Sequence, residues 1–75
     1  MWQIKVRFFG SIAEQLGDTR VVEVEAGSRV ADLLQLLGLR EDDIPLCIVN
    51  GIQVGKDAPL SDGAEVMLFP VVAGG

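Results

Sequence analysis

Leu46-Cys47-Ile48-Val49-Asn50-Gly51-Ile52-Gln53-Val54 carries the strongest folding signal in the chain. Two short apolar runs flank an Asn-Gly pair, and a two-residue type I′ turn needs positive φ at both central positions, which Asn and Gly accept most readily. The stretch reads as a tight antiparallel hairpin that pairs Val49 with Ile52 and Cys47 with Val54. Those four share one face, which leaves Leu46, Ile48 and Gln53 on the other.

On the C-terminal side, Pro59-Leu60-Ser61-Asp62-Gly63 reads as a turn, and Ala64 to Phe69 as the last strand, ended by Pro70, which has no N–H for a ladder. Its alternation sets Ala64, Val66 and Leu68 against Glu65, Met67 and Phe69. On the N-terminal side, Trp2 to Phe9 alternates in the same way, with Trp2, Ile4, Val6 and Phe8 inward and Gln3, Lys5, Arg7 and Phe9 outward. Ser11 to Gly17 suggests a turn or a single helical turn, after which Thr19 to Glu25 returns antiparallel to the first strand with Val22 and Val24 inward. Ser28 is the expected N-cap of a helix whose apolar stripe is Val30, Leu33, Leu34 and Leu37, with Gly38 as its stop. Arg40-Glu41-Asp42-Asp43 reads as a charged connecting loop. One helix cannot cover both faces of such a sheet, so one face is expected to be open or used by partners. By strand parity Phe9, Ile48, Met67 and Phe69 share that open face, an apolar patch of the kind that marks a protein contact.

The composition excludes more than it suggests. Seventy-five residues form one small domain. There is no His and no Tyr, and no phosphate-cradling Gly-rich loop ending in Lys-Ser/Thr, so imidazole acid–base catalysis and P-loop nucleotide binding are both ruled out. A net charge of −5 argues against nucleic-acid binding, because the surplus of carboxylates opposes the phosphates. The single Cys47 cannot form an internal disulfide and sits in an apolar strand, which suits a buried packing thiol. Trp2 is expected as a core or edge aromatic, and Lys5 and Arg7 as a solvated strand face. No apolar run approaches the ~18 residues of a membrane span, and the first residues do not form a signal peptide. A cytoplasmic protein that binds no membrane, metal or cofactor is expected.

The chain ends Pro70-Val71-Val72-Ala73-Gly74-Gly75 with a free carboxylate. The reading is a domain over residues 1–70 and a flexible tail over 71–75, which spans roughly 15–18 Å when extended. Two glycines without Cβ permit a narrow passage and close approach to a reacting carbonyl. Nothing in the chain can activate that carboxylate, so a partner must do so.

Lys5-Val6-Arg7-Phe8-Phe9, Val30-Ala31-Asp32-Leu33-Leu34, Val49-Asn50-Gly51, Pro59 to Gly63 and Phe69 to Gly75 together resemble the ubiquitin-like sulfur carriers. Within them the likeness is strongest to the small subunit of molybdopterin synthase, the MoaD type. The resemblance implies an α+β β-grasp fold, a mixed four- to five-stranded sheet on one main helix. It further implies that an E1-like adenylyltransferase joins Gly75 to AMP from ATP, and that a sulfur donor protein displaces the AMP. The thiocarboxylate then enters the large synthase subunit, the MoaE type, and delivers sulfur to a pterin precursor. In this scheme Gly75 bears the reactive group, Gly74 provides clearance, and Phe69, Pro70, Val71, Val72 and Ala73 dock alongside Phe9, Ile48 and Met67. Two departures stand out: Pro70-Val71 where the family often has Pro-Pro, and Gly63-Ala64-Glu65 where it often has a doubly acidic turn. The thiamine sulfur carrier and a ubiquitin-like modifier conjugated to lysine are the alternatives.

Overall fold

The computed structural model describes residues 1–71. Five strands, β1 (Trp2–Phe8), β2 (Thr19–Val24), β3 (Leu46–Val49), β4 (Ile52–Val54) and β5 (Glu65–Phe69), form one sheet in the order β2-β1-β5-β3-β4. The first and last strands lie side by side and parallel, and every other neighbouring pair is antiparallel. Helices α1 (Gly10–Leu16) and α2 (Val30–Leu36) complete the β-grasp arrangement, with a short 3₁₀ turn at Glu41–Asp43.

The hairpin forms as its sequence requires. Asn50 and Gly51 take φ values of 50° and 83°, and Val49 pairs Ile52 while Cys47 pairs Val54. Asn50 has a second role that its turn propensity does not reveal. Its Oδ1 accepts from the Glu65 N–H at 2.9 Å and its own N–H donates to the Glu65 carbonyl at 2.8 Å, which fastens the turn to the start of β5.

Three local expectations are corrected. Residues 10–16 form a full helix, because Ile12 finds a place in the core and tertiary packing lengthens a segment whose own propensity supports only a turn. The N-cap of α2 is Arg29, whose N–H donates to the Asp32 carboxylate at 2.8 Å. Ser28 is displaced from that role because its carbonyl accepts from Leu60 N–H and the Lys56 and Ala58 carbonyls take the Ala31 and Val30 N–H groups. The loop backbone therefore satisfies donors that a Ser hydroxyl would otherwise serve. The charged segment at residues 41–43 is a 3₁₀ turn, held because Ile44 behind it is fully buried. At the other end of α2, Gly38 and Leu39 N–H return to the Gln35 and Leu34 carbonyls, the Schellman closure.

One apolar core lies between the sheet and the helices. Ile4, Val6, Phe8, Val66, Leu68 and Cys47 from the strands meet Ile12, Val30, Leu33, Leu34 and Ile44. No polar or charged side chain is buried among the described residues, so this interior is built by apolar packing. No helix among them is long and apolar enough to cross a membrane.

Candidate functional site

The parallel pairing of β1 and β5 brings the ends of both strands to one pole of the sheet. The register runs Arg7 with Met67 and Phe8 with Leu68, and the Phe9 N–H donates to the Leu68 carbonyl at 3.2 Å. Phe9 and Phe69 therefore emerge side by side on the uncovered face, their rings stacked with centroids 4.4 Å apart and planes 10° from parallel. β3 runs along the other side of β5, setting Leu46 beside Phe69 and Ile48 beside Met67.

These side chains open into a groove of about 790 Å³ lined by Phe9, Gly10, Ser11, Pro45, Leu46, Phe69, Pro70 and Val71. Of the residues expected to dock a partner, Phe9, Phe69, Pro70 and Val71 line it. Met67 and Ile48 lie one register step away on the same face, half-buried and outside the groove itself. Val72, Ala73, Gly74 and Gly75 lie outside the described residues. Four lining residues were absent from the expectation. Leu46 was within reach, since hairpin parity already put it on the face of Ile48. Gly10, Ser11 and Pro45 were not, because only the strand order brings the β1–α1 junction and the approach to β3 against Pro70.

The root of the chain end is held at three consecutive residues. Phe69 stacks on Phe9, Pro70 rests on Gly10, and Val71 N–H donates to the Asp43 carbonyl at 3.0 Å. Val71, which the sequence reading places first in the tail, is thus tied to the 3₁₀ turn. Gly10 has φ +61°, and a Cβ there would come within 2.9 Å of Pro70 Cγ, a ring atom with little room to yield. We expect Gly10→Val to lower the free energy of unfolding by about 1–3 kcal/mol through left-handed strain, measured by urea titration. It should also weaken partner binding more than Gly17→Val does, since Gly17 shares positive φ but has no atom within 4 Å of its Cβ position. Equal binding by the two variants would mean that the Pro70 seat does not matter.

The chemistry-bearing side chains of the domain lie elsewhere. Cys47 is buried, on the opposite face of β3 from Leu46 and Ile48, and burial pushes its thiol above the ordinary range, with the Lys56 charge opposing only in part. At neutral pH it is a protonated packing group. Among the described residues no three His, Cys, Asp or Glu side chains gather to hold a metal ion. A second hollow, lined by Met1, Glu25, Ser28, Asp32 and Leu36 among others, contains carboxylates but no Lys or Arg side chain, and the Asp32 carboxylate is already used at Arg29. The groove is an apolar surface at the root of the chain end.

Known proteins resemble this chain in sequence and fold. The model of the ThiS family matches residues 6–75. The molybdopterin synthase sulfur carrier subunit of Escherichia coli K12 is 39% identical over 82 aligned positions, covering 96% of this chain and 99% of that protein. The crystal structure of Haloferax volcanii small archaeal modifier protein 1 superposes with a TM-score of 0.80 at 26% identity, covering 96% of this chain and 100% of that one. The complex of subunits 1 and 2 of the Helicobacter pylori molybdopterin-converting factor contains a chain that matches with a TM-score of 0.60 at 25% identity, over 97% and 99% of the two chains.

Proposed function

The chain belongs to the ThiS family, and from that membership we propose that it carries sulfur as a thiocarboxylate on Gly75 and delivers it as the small subunit of molybdopterin synthase. The observation that carries this reading is the position of the apolar groove at the root of the chain end. From Val71 the remaining four residues span at most about 14 Å. A partner seated on the groove therefore has its own active site within that distance of the docking contact. The Escherichia coli relative bears this carrier function in its name, and the Helicobacter pylori subunit is seen with a second subunit.

The chemistry divides between this chain and its partners. A carboxylate resists nucleophiles, so an E1-like adenylyltransferase joins Gly75 to AMP from ATP, releasing pyrophosphate. Sulfide-level sulfur supplied by a sulfur donor protein then displaces AMP and leaves a thiocarboxylate, whose sulfur passes to the pterin precursor of the molybdenum or tungsten cofactor inside the large subunit as water returns Gly75 to a carboxylate. These ATP-dependent steps suit the cytoplasm. Phe9, Phe69, Pro70 and Val71 hold the partner, and Gly74 lets the terminus reach the reacting atom. The test is intact-mass measurement of the protein purified from its native host under cofactor demand. A population heavier by one oxygen-to-sulfur exchange is expected, and its complete absence would remove the carrier reading.

The likeness to the archaeal modifier protein supports a second reading, conjugation of Gly75 to lysine. Isopeptides bearing the Val72-Ala73-Gly74-Gly75 remnant in digests of host proteins are its signature. Their absence beside abundant thiocarboxylate would leave the carrier alone.

A further inference from the structure

Arg7 lies at the edge of the docking face, and sequence position alone makes it a solvated neighbour of Lys5. The structure separates the two. Lys5 is two register steps along β1 from Phe9 and reaches the Glu65 carboxylate at 3.9 Å. Arg7 has no carboxylate within 4 Å among the described residues. Its cross-strand neighbours are Thr19 and Met67, and its guanidinium carbon sits 5.8 Å from the centroid of the Phe9 ring, within the range of a cation–π contact. On the far side of Phe9 from the groove, Arg7 opens with Ala13, Asp18 and Thr19 onto a hollow of about 310 Å³. Asp18 shares that hollow without pairing with Arg7.

We propose that Arg7 is a specificity-determining residue that accepts a carboxylate from the partner protein seated on the groove. This rests on the docking reading given above. Three features make a carboxylate the fitting occupant. In a chain with net charge −5, a cation unpaired among the described residues and set beside an apolar groove is a point of the face where a negative group gains instead of being repelled. A partner covering Phe9 strips water from the guanidinium resting on it, and a desolvated charge without an acceptor is costly. Arg presents a planar fork that receives both carboxylate oxygens while its face stays on the ring, which a Lys ammonium cannot do. The hollow beside Phe9 has room for the Asp or Glu side chain that completes the pair.

The test is calorimetric binding of the full-length protein to the purified large synthase subunit of the same organism at 50 and 300 mM salt. Arg7→Leu keeps an apolar stem at the groove and removes only the charge. It should weaken binding by about tenfold or more at low salt, the scale of a charge-assisted pair, and the loss should shrink at high salt. Arg20→Leu is the control: it removes the same charge, but its pairing with Val6 puts it on the other face, and it should change affinity less than threefold. If Arg7→Leu binds as well as the wild type or better, the face is read by apolar contact alone and the carboxylate proposal is wrong, while the docking reading stands. If the wild type itself does not bind the large subunit, the docking reading fails and this proposal fails with it.

Discussion

Deletion of Gly75 is expected to reduce sulfur delivery by roughly a thousandfold or more while leaving the domain's melting temperature unchanged. The shortened chain still ends in a glycine carboxylate, that of Gly74, so the chemistry of the terminus is preserved and only its position changes. One residue is about 3.5 Å of extended chain, whereas a displacement near 1 Å already costs on the order of 10²-fold in a positioned reaction. The chain cannot recover the lost length by sliding forward. Phe69, Pro70 and Val71 are each held, on the Phe9 ring, against Gly10 and by the Asp43 carbonyl. Stability should be indifferent, because the core among the described residues extends from Ile4 to Leu68. Single-turnover transfer from the thiocarboxylated protein in the presence of the large subunit measures the effect. Full activity after the deletion would mean that the chain end is irrelevant and the domain acts by contact alone.

Phe69→Asp is expected to weaken partner binding by about 2 kcal/mol or more, roughly thirtyfold in Kd. Phe69 is the one aromatic that both lines the groove and stands directly before the chain end. The substitution removes an apolar anchor and puts a carboxylate where the partner must exclude water. The stacked pair with Phe9 is lost too, at about 0.5–1.5 kcal/mol of fold stability, so urea unfolding of the variant should remain cooperative. Val21→Asp is the matched control. Val21 is exposed on the same sheet face, on β2 opposite Lys5 and outside the groove lining, and its change should leave binding intact. An affinity unchanged by Phe69→Asp removes that residue from the docking surface.

Much of the architecture was legible because its signals are local. The Asn50-Gly51 turn, the alternation of β1 and β5 and the apolar stripe of α2 each depend on residues within a few positions of one another, so chain chemistry specifies them before any tertiary contact exists. The errors fall where a distant partner changed a local preference. Arg29 caps α2 because loop 56–58 supplies carbonyls to the first N–H groups, and α1 is a whole helix because Ile12 reaches the core. Ile44 drew no notice in the sequence, lying between an acidic run and a proline, yet it is fully buried.

The site divides along the same line. Strand parity alone put Phe9, Ile48, Met67 and Phe69 on one face, and the terminal glycines marked the reactive end, because both are written in consecutive residues. That Phe9 stacks on Phe69, that Gly10 seats Pro70 and that Arg7 borders the groove without a carboxylate partner follow from the parallel pairing of the first and last strands. That pairing joins residues some sixty positions apart in the chain. No short-range pattern encodes it; it is set by which strand arrangement lets one helix-covered face bury the shared core.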